Sequence, residues 1–225
     1  MKYDIITTQP AIYGSFLKTA LIARGLDKKV INIKIHNLHE FAFDKHKSVD
    51  DTPYGGGAGM VLRVDVVDKA LSTLKSETRN QKSEIILLTP QGKKFNQKTV
   101  KRLSKNKELI LIAGRFEGYD ERIRDLVDEE ISIGDYVLTS GDLAAMILID
   151  AISRQIPGFI EKKESLKTES FDNNLLEFPQ YTKPFDFRGK KVPKILLSGN
   201  HQKISDWRKR ESIKRTKNRR LDLLN

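Results

Sequence analysis

The chain has no cysteine among its 225 residues. This absence excludes a disulfide scaffold, a thiolate metal site, an iron–sulfur cluster and a cysteine nucleophile. No run approaches the roughly 18 to 20 apolar residues of a membrane span, and the first residues do not form a signal peptide. With 38% hydrophobic and 32% charged residues, the composition is typical of a globular protein with one large domain or two small ones. We therefore expect a cytoplasmic protein without a membrane partner.

Several familiar catalytic motifs are also missing. The triple glycine at 55–57 lacks both the Gly-Lys-Ser/Thr ending of a P-loop and the spacing of a dinucleotide fingerprint. No Gly-x-Ser-x-Gly elbow is present. His36 and His39 lack a convincing third ligand, so the pattern disfavours a metal site. These absences argue against P-loop nucleotide hydrolysis, serine hydrolysis and zinc chemistry.

Positive charge is concentrated at the C-terminus. The formal net charge is +11, of which +10 falls between Arg188 and Asn225, so the first 187 residues are almost neutral. Such a basic segment on a neutral body is typical of a part that binds a polyanion. Trp207 and Ile204 lie within it and provide an apolar side that can dock. We expect nucleic acid as the partner, because the apolar face is too small for membrane binding.

The middle of the chain predicts a β-α-β unit. Residues 84–89 and 108–113 are short apolar runs of the kind found in parallel strands covered on both faces, with a helical pattern over 97–104 between them. A strand is also predicted at 3–7, an alternating strand at 29–36, and helices at 14–24, 65–75, 143–152 and 202–217. The fold class is therefore α/β with a parallel sheet.

Three glycine-bearing loops follow in series, at 90–92, 114–118 and 132–142. Ligands of open α/β sheets bind outside the carboxyl ends of the strands, and glycines let the backbone approach a heterocycle closely. We therefore predict a ligand site made largely of backbone, which suits an adenosine-containing molecule.

Five motifs carry a resemblance to a known family. They occur in order along nearly the whole chain: Tyr54-Gly-Gly-Gly-Ala-Gly-Met60, Gly114-Arg-Phe-Glu-Gly-Tyr-Asp-Glu-Arg122, Ser132-Ile-Gly-Asp-Tyr-Val-Leu-Thr-Ser-Gly-Asp142, Ile156-Pro-Gly158 and Leu197-Ser-Gly-Asn-His201. In these motifs the chain resembles the bacterial tRNA (guanine-N1)-methyltransferase family. The resemblance implies a SPOUT-type fold with a deep trefoil knot, which sequence physics alone would not suggest because knots are rare.

The resemblance also implies a domain organisation and an assembly. Residues 1–160 would form the knotted cofactor-binding domain, 161–170 a flexible linker and 171–225 a small, basic, helical domain that binds tRNA. It implies a homodimer whose active sites lie at the subunit interface.

The activity implied by the resemblance is methylation of N1 of guanosine-37, next to the tRNA anticodon, by S-adenosylmethionine. Carried onto this chain, cofactor binding falls on Leu87, Leu88, Thr89, Pro90, Gln91 and Gly92, on Gly114 and Glu117, on Ser132, Ile133, Gly134, Asp135, Tyr136, Val137 and Leu138, and on Gly141.

The catalytic pair implied by the resemblance is Glu169 and Arg154. The family usually has aspartate before Ser-Phe, whereas this chain has Glu169 before Ser170-Phe171, one methylene longer. A carboxylate can take the proton from guanine N1, and a guanidinium can stabilise the negative charge that develops on the base. This route needs no metal, and assistance from Mg²⁺ stays open.

Two alternatives are weighed against this interpretation. One is ribose 2′-O methylation of RNA, which would need an activated hydroxyl; Glu169 and the 54–60 loop argue against it. The other is a non-catalytic RNA-binding module, which the basic segment alone would support. Such a module would leave the three glycine-bearing loops without a purpose.

Overall fold

The computed structural model describes residues 1–77, 83–115, 117–161 and 169–224. The chain divides into two compact units, Met1–Glu161 and Lys162–Asn225. In unit 1 the strands are β1 (Lys2–Thr7), β2 (Asn32–Asn37), β3 (Asp50–Asp51), β4 (Val61–Leu62), β5 (Glu84–Lys94), β6 (Glu108–Ala113) and β7 (Glu129–Ser132). Its α-helices are α1 (Tyr13–Phe16), α2 (Ala20–Asp27), α3 (Val64–Glu77), α4 (Gln97–Leu103) and α5 (Asp142–Ser153).

A five-stranded parallel sheet forms the centre of unit 1, in the order β2-β1-β6-β5-β7. Alternate residues of its inner strands enter two different cores. On β6, Leu109 and Leu111 pack with α5 on one face, while Ile110 and Ile112 pack with α3 on the other. This two-sided burial explains the continuous apolar runs and confirms the α/β class with a parallel sheet.

The first predicted helix is interrupted. The helix predicted over 14–24 is split into α1 and α2, with Thr19 in an extended conformation between them, and a 3-10 turn at Pro10–Ile12 precedes α1. Helix α2 continues through Gly25 to Asp27. A Cβ at Gly25 would lie 2.6 Å from the Phe159 ring, so this glycine permits close packing.

The turn predicted at 90–92 is also absent, because β5 runs on to Lys94. The strand is irregular, since both Leu88 and Lys93 pair with Ile131 of β7. A Cβ at Gly92 would lie 2.5 Å from the backbone of Glu130, so the glycine serves this close approach. Strand β2 begins three residues later than predicted, after Lys29, which has a φ of 55°.

Unit 2 contains a short antiparallel hairpin, β8 (Asp186–Phe187) with β9 (Lys190–Lys191), and the basic helix α6 (His201–Arg219). The predicted docking residues Ile204 and Trp207 are only half-buried. Helix α6 is instead held through Ser212 and Thr216, which are buried. The Ser212 hydroxyl donates to the carbonyl of Leu176 at 2.5 Å, and the amide of Leu176 donates to the Thr216 hydroxyl at 2.9 Å.

Within the described ranges, the longest and most apolar helices do not reach the length and hydrophobicity of a membrane span. The linker predicted over 161–170 falls mainly on 162–168, which lie outside the described residues.

Candidate active site

A cavity of about 150 Å³ lies where the regular pairing of β5 is interrupted after Leu88 and where β6 and β7 end. Parallel strands end at the same edge of their sheet, so the three glycine-bearing segments meet there. Most of the predicted cofactor residues line this cavity: Leu88, Thr89, Pro90, Gly114, Glu117, Ser132, Ile133, Gly134, Tyr136, Val137, Leu138 and Gly141.

Four predicted cofactor residues do not line the cavity. Leu87 is buried in the core on the α3 side of the sheet. The Gln91 side chain accepts a hydrogen bond from Arg124 Nη2 at 2.5 Å, and Gly92 packs on Glu130. Asp135 pairs with Lys94 at 2.5 Å on the exposed surface. The irregular continuation of β5 carries 91–92 away from the cavity, whereas Leu87 faces the opposite side of the sheet.

Backbone contacts hold the loops of the cavity together. The Gly141 amide donates to the Gly114 carbonyl at 2.7 Å, which joins the segment after β7 to the end of β6. A Cβ at Gly114 would lie 2.3 Å from the Tyr119 ring, and one at Gly134 would lie 2.5 Å from the Tyr136 ring. These glycines therefore let the wall pack closely around the cavity, as a cradle that side chains would disrupt. The lining combines apolar side chains with glycine backbone and a few polar side chains, which suits a heterocyclic ligand, so these residues fit S-adenosylmethionine.

Tyr119 is a site residue that the sequence did not identify. Its hydroxyl donates to the Leu88 carbonyl at 2.6 Å and accepts from the Gly114 amide at 3.1 Å. It therefore bridges the ends of β5 and β6, and both bonded residues line the cavity. Burial raises the pKa of Tyr119 to about 12, so the hydroxyl stays protonated at neutral pH. The only sequence signal is its place inside the motif at 114–122.

The glycine-rich segment at 54–60 adjoins the same wall. The Glu117 amide donates to the Met60 carbonyl at 3.0 Å, and the Leu62 amide donates to the Gly118 carbonyl at 3.0 Å. Gly59 has a φ of 82°, and a Cβ there would lie 2.3 Å from Glu117 Cγ. The segment therefore packs directly on a predicted cofactor residue.

A buried polar network lies at the start of α5. Asp142 Oδ1 accepts hydrogen bonds from the hydroxyls of Thr7 at 2.6 Å and Tyr13 at 2.8 Å. The Thr7 hydroxyl also accepts a hydrogen bond from the backbone amide of Gln9 at 2.9 Å. When the side-chain oxygen of Gln9 faces Arg115, it accepts a hydrogen bond from Arg115 Nη1 at 2.5 Å. The network thus reaches from the cavity wall to a buried carboxylate.

The two predicted catalytic residues lie in different units. Arg154 follows the last turn of α5 in unit 1, where its amide donates to the Asp150 carbonyl at 3.2 Å and its side chain is half-buried. Glu169 belongs to unit 2 and is also half-buried.

The two histidines considered as metal ligands have other partners. His36 Nε2 lies 2.7 Å from Asp4 Oδ1, and His39 Nδ1 lies 2.8 Å from the Lys47 carbonyl. Over the described ranges, no three histidine, cysteine or acidic side chains form a metal-binding group.

Comparisons with known proteins agree with the motifs over the full chain. The profile of the family described as tRNA (Guanine-1)-methyltransferase TrmD matches residues 1–225. A tRNA (guanine-N(1)-)-methyltransferase of Citrifermentans bemidjiense is 48% identical over 225 residues, which cover 100% of this chain and 90% of that protein. The protein of the same name from Clostridioides difficile is 48% identical over 224 residues, which cover 99% of this chain and 97% of the relative.

A third relative of that name, from Mycoplasma capricolum, is 49% identical over 225 residues, which cover 100% of this chain and 92% of its own length. The family profile thus matches the whole chain, and these relatives are nearly half identical to it. The chain belongs to the tRNA (guanine-1)-methyltransferase family.

Proposed function

We propose that this protein transfers the methyl group of S-adenosylmethionine to N1 of guanosine-37 in tRNA. One observation carries the proposal: residues 88–90 of β5 and the segments after β6 and β7 enclose a cavity in a chain that matches the family over its whole length. A purely RNA-binding module would not need this cavity.

The residues that would hold the cofactor are those of the cradle. Leu88, Thr89 and Pro90 form one side, and the backbone of Gly114 and Gly141 forms the floor, where a side chain would collide with Tyr119 or with the end of β6. When bound, S-adenosylmethionine supplies an electrophilic methyl group. The protein binds it, orients it and manages the proton on guanine N1.

In this proposal Glu169 accepts the proton from guanine N1, and Arg154 stabilises the negative charge on N1 and O6. N1 is a poor nucleophile while protonated, so a carboxylate base is needed for methyl transfer. Guanidinium suits the charge because it stays protonated and donates two parallel hydrogen bonds. The target base must be unstacked, which a tRNA loop permits at low cost.

Unit 2 is proposed as the tRNA-binding part, following the predicted division into 1–160, the linker 161–170 and 171–225. Two of its arginines lie over aromatic rings. Arg208 lies 4.8 Å from the Phe178 ring centroid, and Arg188 lies 5.2 Å from that of Phe187. Phosphate contacts from α6 would supply most of the affinity, with little base readout.

A homodimer and the trefoil knot complete the proposal. Leu143 and Ile147, one turn apart on α5, are 46% and 45% exposed, and Ile12 and Leu21 near the N-terminus are also exposed. An apolar helix face of this kind is typical of a subunit interface. Sedimentation equilibrium would test the dimer.

A tRNA substrate would place the enzyme in the cytoplasm.

The function is tested by methylating two tRNA transcripts that differ only at position 37. A transcript with guanosine there should acquire one methyl group, and mapping should find 1-methylguanosine; a transcript with adenosine should acquire none. A methyl group on the ribose would favour 2′-O methylation. Absence of cofactor binding would favour the RNA-binding module. Repeating the assay with EDTA decides whether Mg²⁺ contributes.

The base is tested by Glu169→Gln with Glu169→Asp as its matched control. We expect the glutamine variant to bind S-adenosylmethionine normally and to transfer methyl groups roughly 10²-fold more slowly, because it cannot accept the proton. The aspartate variant should retain far more activity because it keeps a carboxylate. A glutamine variant with the wild-type single-turnover rate would refute the role of Glu169.

A further inference from the structure

Asp142 is an unusual residue for the interior of unit 1. It is 1% exposed, and Thr7 and Tyr13, which donate to its Oδ1, are fully buried. Its second oxygen, Oδ2, is buried and has no hydrogen-bond partner among the described residues. Two donated hydrogen bonds and the first turn of α5 favour the ionised carboxylate. Asp142 therefore carries a negative charge, and the described residues donate hydrogen bonds to only one of its two oxygens.

This charge has no cationic partner among the residues described, since the groups that contact it are neutral hydroxyls. A buried carboxylate without a counter-ion is unfavourable for folding. A neutral asparagine would still accept the hydrogen bonds of Thr7 and Tyr13 through its amide oxygen. The carboxylate therefore needs an explanation other than stability.

The carboxylate lies directly behind the cofactor cavity. Its neighbours Gly141 and Ala144 line the cavity. Its charge also reaches the cavity wall, where it contributes, after burial, to the raised pKa of Tyr119. Among the described lining residues the charged ones are Arg115 and Glu117, whose opposite charges offset each other. Asp142 thus adds a negative charge next to the cavity that these two residues do not offset.

We propose that Asp142 is a specificity-determining residue that makes the cavity prefer the positively charged sulfonium of S-adenosylmethionine over the neutral thioether of S-adenosylhomocysteine. The inference rests on the proposed location of the cofactor in this cavity. The two molecules differ by one methyl group and one positive charge, so a fixed negative charge attracts the substrate and gives the neutral sulfur of the product no comparable attraction. The group acts through its field, without touching either molecule.

The test compares dissociation constants of the two molecules for the wild type and for Asp142→Asn, measured by calorimetry. For unit charges roughly 10 to 15 Å apart at an effective dielectric constant near 20, attraction changes an equilibrium constant about 6- to 16-fold. We therefore expect Asp142→Asn to bind S-adenosylmethionine about 10-fold more weakly and S-adenosylhomocysteine almost unchanged. Asp68→Asn, which removes an exposed carboxylate of α3, should leave the ratio unchanged.

Thermal unfolding gives a second readout, because a merely structural role predicts a large loss of stability when the carboxylate is replaced. Asp142→Asn should lose little stability, since removal of the buried charge offsets the weaker hydrogen bonds from Thr7 and Tyr13. Tyr13→Phe, which keeps the charge and loses one hydrogen bond, should be less stable yet retain the preference for the substrate. Asp142→Ser provides the same charge removal should the asparagine variant fail to fold.

If Asp142→Asn weakened the binding of both molecules equally, or of neither, the ratio of the two dissociation constants would be unchanged. That result would overturn the inference while leaving the cofactor site intact. A wild type that bound neither molecule would instead contradict the proposed function, and the inference with it.

Discussion

Replacing Tyr119 by phenylalanine removes one oxygen atom that joins two walls of the cofactor cavity. The ring remains, so packing against Gly114 is preserved and no cavity forms. The Leu88 carbonyl and the Gly114 amide each lose a partner, at 2.6 and 3.1 Å. A buried polar group left without its partner costs about 1–3 kcal/mol, so we expect a loss of that order in unfolding free energy.

The assay is thermal unfolding with and without S-adenosylmethionine. For a protein of this size, each kcal/mol lowers the melting temperature by roughly 2–4 °C. We also expect weaker cofactor binding, because the spacing of the β5 and β6 ends is no longer held. Tyr136→Phe is the matched control for stability, since its exposed hydroxyl makes only a 3.5 Å contact with the Ile133 carbonyl. Wild-type stability and affinity in Tyr119→Phe would refute the bridging role.

Two further predictions concern charge. Exposed cations of α6 should contribute to tRNA binding through phosphates. Their replacement by alanine should therefore weaken the binding of different tRNAs to a similar extent. It should also reduce the slope of log K against log[salt] by up to about three. The set is Lys209, Arg210, Lys214 and Lys217. Unchanged binding at every salt concentration would exclude α6 as the tRNA platform. Burial alone would raise the pKa of Asp4, but hydrogen bonds from His36 and Lys2 outweigh it and hold the pKa below 3.8. This carboxylate therefore stabilises the fold above that pH, and the contribution disappears as the pH falls through its folded pKa. Acid titration followed by circular dichroism should show unfolding at higher pH for His36→Phe than for the wild type; coincident curves would contradict the assignment.

Arg215 is left out of the alanine set for a structural reason. Its Nη1 donates to the Glu177 carbonyl at 3.3 Å, and the side chain is half-buried. Its replacement would therefore mix a loss of packing in unit 2 with a loss of positive charge. Sequence alone gives no means of separating it from the exposed cations beside it.

The sequence by itself determined the parts whose signals are local. The apolar runs at 84–89 and 108–113 mark β5 and β6, because buried parallel strands exclude polar residues from both faces. The motifs after them carry the family resemblance, and the comparisons confirm it. The asymmetric charge likewise predicts a nucleic-acid partner without any structure. Each of these inferences uses residues that are close in the chain.

Only the tertiary structure decided what individual residues do at the site. Gly25 and Gly92 look like helix and strand terminators, yet both permit close packing against segments remote in sequence. Tyr119 acquires its role from Leu88, 31 residues away, and Asp142 from Thr7, 135 residues away. Periodicity and propensity report only on neighbours along the chain, whereas hydrogen bonds and buried charges depend on which distant segments the fold brings together.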